Sequence, residues 1–109
     1  MRSGENFFNL YNHDFIRAAV GIPAVRVADP EFNTQQTIEL IREAAGRDAA
    51  LVLFPELGLS AYSCDDLFHQ RAMLEACRDG VATILEASLI LSPVAVVGCP
   101  LVFGHLLYN

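Results

Sequence analysis

The apolar run Leu51-Val52-Leu53-Phe54, cut off by Pro55 and followed at once by the carboxylate of Glu56, constrains this chain more than any other stretch. Unbroken apolar residues over a strand's length, bounded by a proline, read as a short strand buried on both faces, the pattern of a parallel sheet covered by helices. Proline has no N–H for a ladder and fixes its own φ, so the strand ends there and the next residue leaves at a set angle. Two further runs repeat the theme: Phe15 to Ile22, closed by Pro23, and Val94 to Cys99, which follows Ser92-Pro93. The second strand is expected over Ala49 to Phe54.

The segments between the runs have helical period. Asp29-Pro30 signals a helix start, because aspartate caps orphan N–H groups and proline suits the first helical position. Asn33 with Gln36 offers an alternative start. Ile38, Ile41, Ala44 and Ala45 then share a face, Glu39, Arg42 and Glu43 take the other, and Gly46 marks the stop. Asp65 and Asp66 are candidate caps for a second helical region, in which Leu67, Leu74, Cys77, Val81, Ile84, Leu85 and Ser88 keep the period. Gly80 costs about 1 kcal/mol relative to alanine inside a helix, so one helix or two pieces are both open. Phe7 to Phe15 reads as a lead-in turn or short helix, and Leu101 to Tyr108 as a further extended segment. The order strand, helix, strand, helix, strand predicts an α/β fold with parallel strands joined by right-handed crossovers.

A chain of 109 residues is one domain at most. Its 53% hydrophobic content is high for a domain that hides only about two-thirds of its unfolded surface, which suggests a piece of something larger. The last extended segment running up to Tyr108-Asn109 fits that expectation. A net charge of −6, from 7 basic and 13 acidic residues, speaks against a nucleic-acid partner or an anionic membrane surface. Three cysteines (Cys64, Cys77, Cys99) with no C-x-x-C pair suggest neither a disulfide framework nor a zinc site, and a reducing cytoplasm is expected. The polar opening Met1 to Asn6 lacks the apolar core of a secretory leader, and no run reaches the roughly 18 apolar residues of a membrane span. His13, His69 and His105 have no ligand-like spacing, so no metal site is expected.

The carboxyl ends of strands are where open α/β sheets bind ligands, so Glu56 there is a base, a ligand or a cap. The plain alternative is a turn cap or an ion pair with an arginine. Gly58-Leu59-Ser60-Ala61-Tyr62 is a near miss for the G-x-S-x-G elbow, with tyrosine where the sharp turn needs glycine. No phosphate-cradling glycine motif occurs. Cys64 lies eight residues past Glu56, and a thiol near a helix start is open to activation, but Cys77 and Cys99 read as small buried hydrophobes.

Phe54-Pro55-Glu56-Leu57, with Leu59-Ser60 and Tyr62-Ser63, resembles the first catalytic motif of the nitrilase, or carbon-nitrogen hydrolase, superfamily. That resemblance implies an αββα sandwich, of which residues 1–109 would be an incomplete N-terminal part, and a Glu-Lys-Cys triad in which Glu56 matches the general base. Two further stretches are similar to the opening of bacterial glutamine-dependent NAD synthetases. One is Phe7 to Arg17, with its Tyr-x-His-x-Phe-x-Arg pattern, and the other is Ala28-Asp29-Pro30 with Asn33. Val96-Val97-Gly98 before Pro100-Leu101 fits the same branch.

The branch implies glutamine as the substrate of this domain and a separate synthetase domain that uses ATP, magnesium and nicotinic acid adenine dinucleotide. It also implies a homo-oligomer, with no cofactor held by this chain. Tyr62 matches a tyrosine lining the glutamine pocket, Cys64 belongs to the loop, and the triad's lysine and cysteine would lie beyond Asn109. Moving a proton from an ordinary thiol, pKa about 8.5, to an ordinary glutamate at about 4.3 is uphill by roughly 6 kcal/mol, so a triad needs desolvation and a nearby lysine cation to close that gap. The 109 residues alone are therefore expected to be inactive. Another amidase of the superfamily, such as a carbamoylase, and a complete small α/β binding module without catalysis are the competing readings.

Overall fold

The computed structural model describes residues 7–61 and 70–109. After a 3₁₀ turn at Leu10–His13 come β1 (Ala18–Val20), α1 (Pro30–Gly46), β2 (Leu51–Leu53), α2 (Arg71–Ser88) and β3 (Val94–Val96), then β4 (Leu101–Phe103) and β5 (Leu106–Tyr108). The first three strands lie in the order β1-β2-β3, all parallel, with Ala19, Val52 and Ala95 level across the sheet. The alternation of strands and helices is as the sequence predicts. The strands are shorter than their apolar runs, but the ladder continues beyond them through Ala50 N to Arg17 O (2.7 Å), Gly21 N to Leu53 O (2.8 Å) and Phe54 N to Val96 O (3.0 Å).

The expectation of burial on both faces is corrected for the described residues. Val52 is 1% exposed, whereas its neighbour Leu53 is 47% exposed, and Val20 and Val94 reach 72% and 64%. The cause is the strand order. Two right-handed crossovers that advance in one direction put both helices on the same face, and α1 and α2 pack on each other there. The opposite face, with Val20, Leu53, Val94 and Val96, stays apolar and bare.

Helix α1 starts at Asp29-Pro30 and not at Asn33. Asp29 Oδ1 accepts from Phe32 N at 3.2 Å, and Pro30 occupies the first turn. Ile38, Ile41 and Ala44 are buried as the period predicts, and the helix ends at Gly46. The first half of its inner face is polar instead: Asn33, Thr34 and Thr37 are all buried.

Helix α2 is one unbroken helix. Met73, Cys77, Gly80 and Ile84 form its buried stripe, while Leu85, expected on that face, is 65% exposed. Gly80 does not break the helix because it sits where α1 crosses: a Cβ there would lie 2.3 Å from Thr34 Oγ1. The expected caps Asp65 and Asp66, and Leu67, lie outside the described residues; the cap position is Gln70, whose side chain makes no capping bond.

Leu101 to Tyr108 is not one extended segment but an antiparallel hairpin, with Leu101 opposite Tyr108. Gly104 and His105 turn it with φ of 57° and 69°, the mirror-image two-residue turn whose twist suits a hairpin. One core joins the layers, with Val52, Phe54 and Leu59 against Ile38, Ile41, Met73, Cys77 and Ile84. Among the described residues, no helix is long and apolar enough to cross a membrane.

Candidate functional site

Glu56 stands at the carboxyl rim of the central strand. Phe54 still bonds to β3 through Val96 O, Pro55 closes the ladder, and Glu56 opens the loop that follows. Its side chain is exposed, and its Oε1 accepts a hydrogen bond from Asn109 Nδ2. The ion pairs among the described residues are Arg26–Asp29, Arg47–Glu43 and Arg71–Glu75. No arginine among them holds Glu56.

The loop beyond it is fixed in an unusual course. Leu57 has φ of 56° and Ala61 of 66°, in the left-handed region that branched side chains rarely adopt. Backbone bonds hold that course: Leu59 N donates to Gly98 O at 3.1 Å, and Ala28 N to Ser60 O at 2.9 Å. Gly98 lets the exit of β3 lie flat against the turn, because a Cβ there would come within 2.5 Å of Leu57 N and 2.9 Å of Pro55 O.

Asn33 completes the clamp from beneath. Its Oδ1 accepts from Arg26 N at 2.7 Å, and its Nδ2 donates to Arg26 O at 2.8 Å and to Leu59 O at 2.9 Å. With all three bonds made, a fully buried amide carries no desolvation penalty, and one helical side chain ties two loops together. The sequence offered Asn33 as an alternative helix start and as part of the Ala28-Asp29-Pro30 resemblance, not as a clamp. Nothing in its local pattern signals a partner 26 residues away.

The nucleophile-elbow reading fails on Ser60. Its hydroxyl is fully buried, within hydrogen-bond reach of the carbonyls of Leu57 (3.2 Å) and Ala61 (3.1 Å). Tyr62 and Cys64 lie outside the described residues. Cys77 is buried with its Sγ 3.6 Å from Met73 Sδ, and burial pushes the Cys99 thiol above its ordinary value, which disfavours the thiolate. Both fit the reading of small buried hydrophobes.

At the opposite rim, a cleft of about 640 Å³ is lined by Phe8, Tyr11, Arg17, Asp48 and Ala50 among others. Of the Tyr-x-His-x-Phe-x-Arg stretch, Tyr11 and Arg17 line it. Tyr11 Oη donates to Asp48 O, Arg17 Nη1 donates to Arg47 O, and His13 Nε2 lies 2.7 Å from Phe7 O. These side chains serve backbone groups and pin the lead-in turn beneath the end of α1. Among the described residues, no three His, Cys, Asp or Glu side chains gather as metal ligands would.

What the rim at Glu56 can do by itself is accept a proton. Its Oε1 has the Asn109 amide, and these 109 residues contain no lysine to stand beside it.

Residues 17–99 match the model of the carbon-nitrogen hydrolase family. The chain belongs to that family. It is 38% identical over 104 residues to a glutamine-dependent NAD(+) synthetase of Mycobacterium tuberculosis, a match covering 95% of this chain and 15% of the relative. A synthetase of the same name from Xanthomonas campestris is 37% identical over 106 residues, covering 86% and 18%. The crystal structure of a glutamine-dependent NAD(+) synthetase from Cytophaga hutchinsonii superposes with a TM-score of 0.79 at 23% identity, over 86% of this chain and 16% of that one. The fold is thus the nitrilase-like α/β arrangement that the sequence resembles. The chain spans under a fifth of the length of the relatives it matches.

Proposed function

We propose that this chain is the opening part of the glutamine-hydrolysing domain of a glutamine-dependent NAD synthetase, with Glu56 as the general base. The observation that carries the reading is the position of Glu56: a carboxylate outside every ion pair of the described residues, held at the carboxyl rim of the central parallel strand by a strained loop that backbone bonds to Gly98 and Ala28 tie down. The synthetases that match almost the whole chain at 37–38% identity favour this branch over another amidase of the family, and over a binding module without catalysis.

In this reading a cysteine from a segment outside these 109 residues gives its proton to Glu56. The sulfur attacks the carboxamide carbon of glutamine, the C–N bond breaks as the nitrogen takes up the proton, and ammonia leaves. Water then cleaves the thioester to give glutamate, with the same carboxylate taking the water's proton. A lysine, also outside the chain, and a backbone N–H would hold the oxyanion. Tyr62 is proposed, on the motif alone, to line the glutamine pocket. ATP, magnesium and nicotinic acid adenine dinucleotide belong in this reading to a synthetase domain in a cytoplasmic homo-oligomer; no residue described here is assigned to them.

The experiment is Glu56→Gln in the full-length protein. Glutamine-driven NAD formation should fall by about 10²- to 10⁴-fold, the usual contribution of a general base, while synthesis from added ammonium salt persists. Equal loss of both activities would make Glu56 structural and sink the assignment.

A further inference from the structure

We propose that Asn109 is a positioning residue for Glu56, a role that rests on the general-base reading above. The two side chains are 53 residues apart in sequence, and the hairpin brings them together. Because Leu101 pairs with Tyr108, Asn109 falls level with Pro100, just past the Gly98-Cys99 exit that lies against the Glu56 turn. The turn at Gly104 and His105 therefore sets where the amide arrives.

The chemistry suits the task. A base on a long, exposed side chain samples many rotamers, and only some present an oxygen to the proton donor. An amide nitrogen only donates, so Asn109 Nδ2 engages Oε1 and leaves Oε2 to receive the proton. Being neutral, the amide orients the carboxylate without adding a full charge to the site. Among the described residues, the other bonds that fix the Glu56 loop are made through the backbone, through buried Asn33 or through buried Ser60. Among the bonds of the described residues, this one alone reaches the carboxylate itself.

The test uses the full-length protein with Asn109→Ala and with Asn109→Asp, which keeps the size but replaces the donor by an acceptor. Each should lower kcat for glutamine hydrolysis by roughly 10- to 100-fold, the range of a lost hydrogen bond to a charged group. KM for glutamine should stay within about threefold, because the substrate is not what the amide touches. NAD formation from ammonium salt should persist, which separates a misplaced base from a damaged fold. A wild-type kcat in either variant, a change confined to KM, or parallel loss of ammonia-driven synthesis in both variants would overturn the proposal. Glu56→Gln is measured alongside. If it too keeps glutamine hydrolysis, the base assignment falls and this role with it; if it is inactive while both Asn109 variants are fully active, only the positioning role falls.

Discussion

The two rims of the parallel sheet differ in what their polar side chains are used for. At the amino rim, where a cleft of about 640 Å³ lies, Tyr11 and Arg17 are spent on the carbonyls of Asp48 and Arg47. At the carboxyl rim the loop is held by backbone bonds to Gly98 and Ala28 and by Asn33, and the carboxylate of Glu56 meets a neutral amide, that of Asn109, and no cation among the described residues. Concavity alone points to the end opposite Glu56. A reactive group is better marked by a charge that the fold does not consume, on a backbone that the fold holds at some cost.

The largest expected effect tests that contrast directly. Glu56→Gln should cost about 10²- to 10⁴-fold in glutamine-driven rate. Arg17→Ala at the other rim should leave the same rate within about threefold and lower stability by about 1 kcal/mol, the net worth of one such bond. Steady-state rates and urea unfolding read both, and comparable rate losses would erase the distinction between the rims.

Next is the backbone contact beneath Glu56. Gly98→Ala must push either Leu57 or Pro55, because the clashing atoms belong to the main chain. A loss of about 1–3 kcal/mol is expected, as for overpacking a close contact, together with a fall in glutamine-driven rate. Gly46→Ala, where a Cβ meets nothing within 4 Å, is the control and should leave the rate unchanged.

Smaller effects sit away from the rims. Thr34 Oγ1 is buried with no hydrogen-bond partner among the described residues, so Thr34→Val, similar in shape, should raise stability by about 1 kcal/mol in the same unfolding measurement. The smallest effect is in pH. Burial raises the Cys99 pKa above the ordinary 9.0, so the folded state keeps a proton that the unfolded state gives up. The stability this contributes is complete below about pH 9 and declines as pH rises through the folded value. Cys99→Ala should flatten that alkaline slope in unfolding midpoints measured across the range.

The sequence carried the element order well because strand and helix periods are local. Asp29-Pro30 fixed the start of α1 by local capping chemistry, and Pro55 fixed the end of the β2 ladder by its missing N–H. What could not be read was set by partners distant in sequence. An apolar run such as Leu51-Val52-Leu53 cannot say which of its faces a helix covers, since that depends on the direction in which the next strand is added. Gly80 reads as a helix breaker until Thr34 is seen against it. The hairpin was missed because Gly104-His105 lacks the Asn-Gly signature that announces such turns. Glu56 was singled out by its place after the strand and by its motif, neither of which signals the Asn109 amide that meets it from 53 residues away.

Asn33 has one more consequence. It sits in the opening turn of α1, so the segments at Arg26 and Leu59 cannot reach their final course until that turn has formed. The loop bearing Glu56 should therefore open and close as part of one cooperative unit with the helix, sharing the helix's protection against local unfolding. A rim assembled this way should keep its course for as long as α1 itself holds.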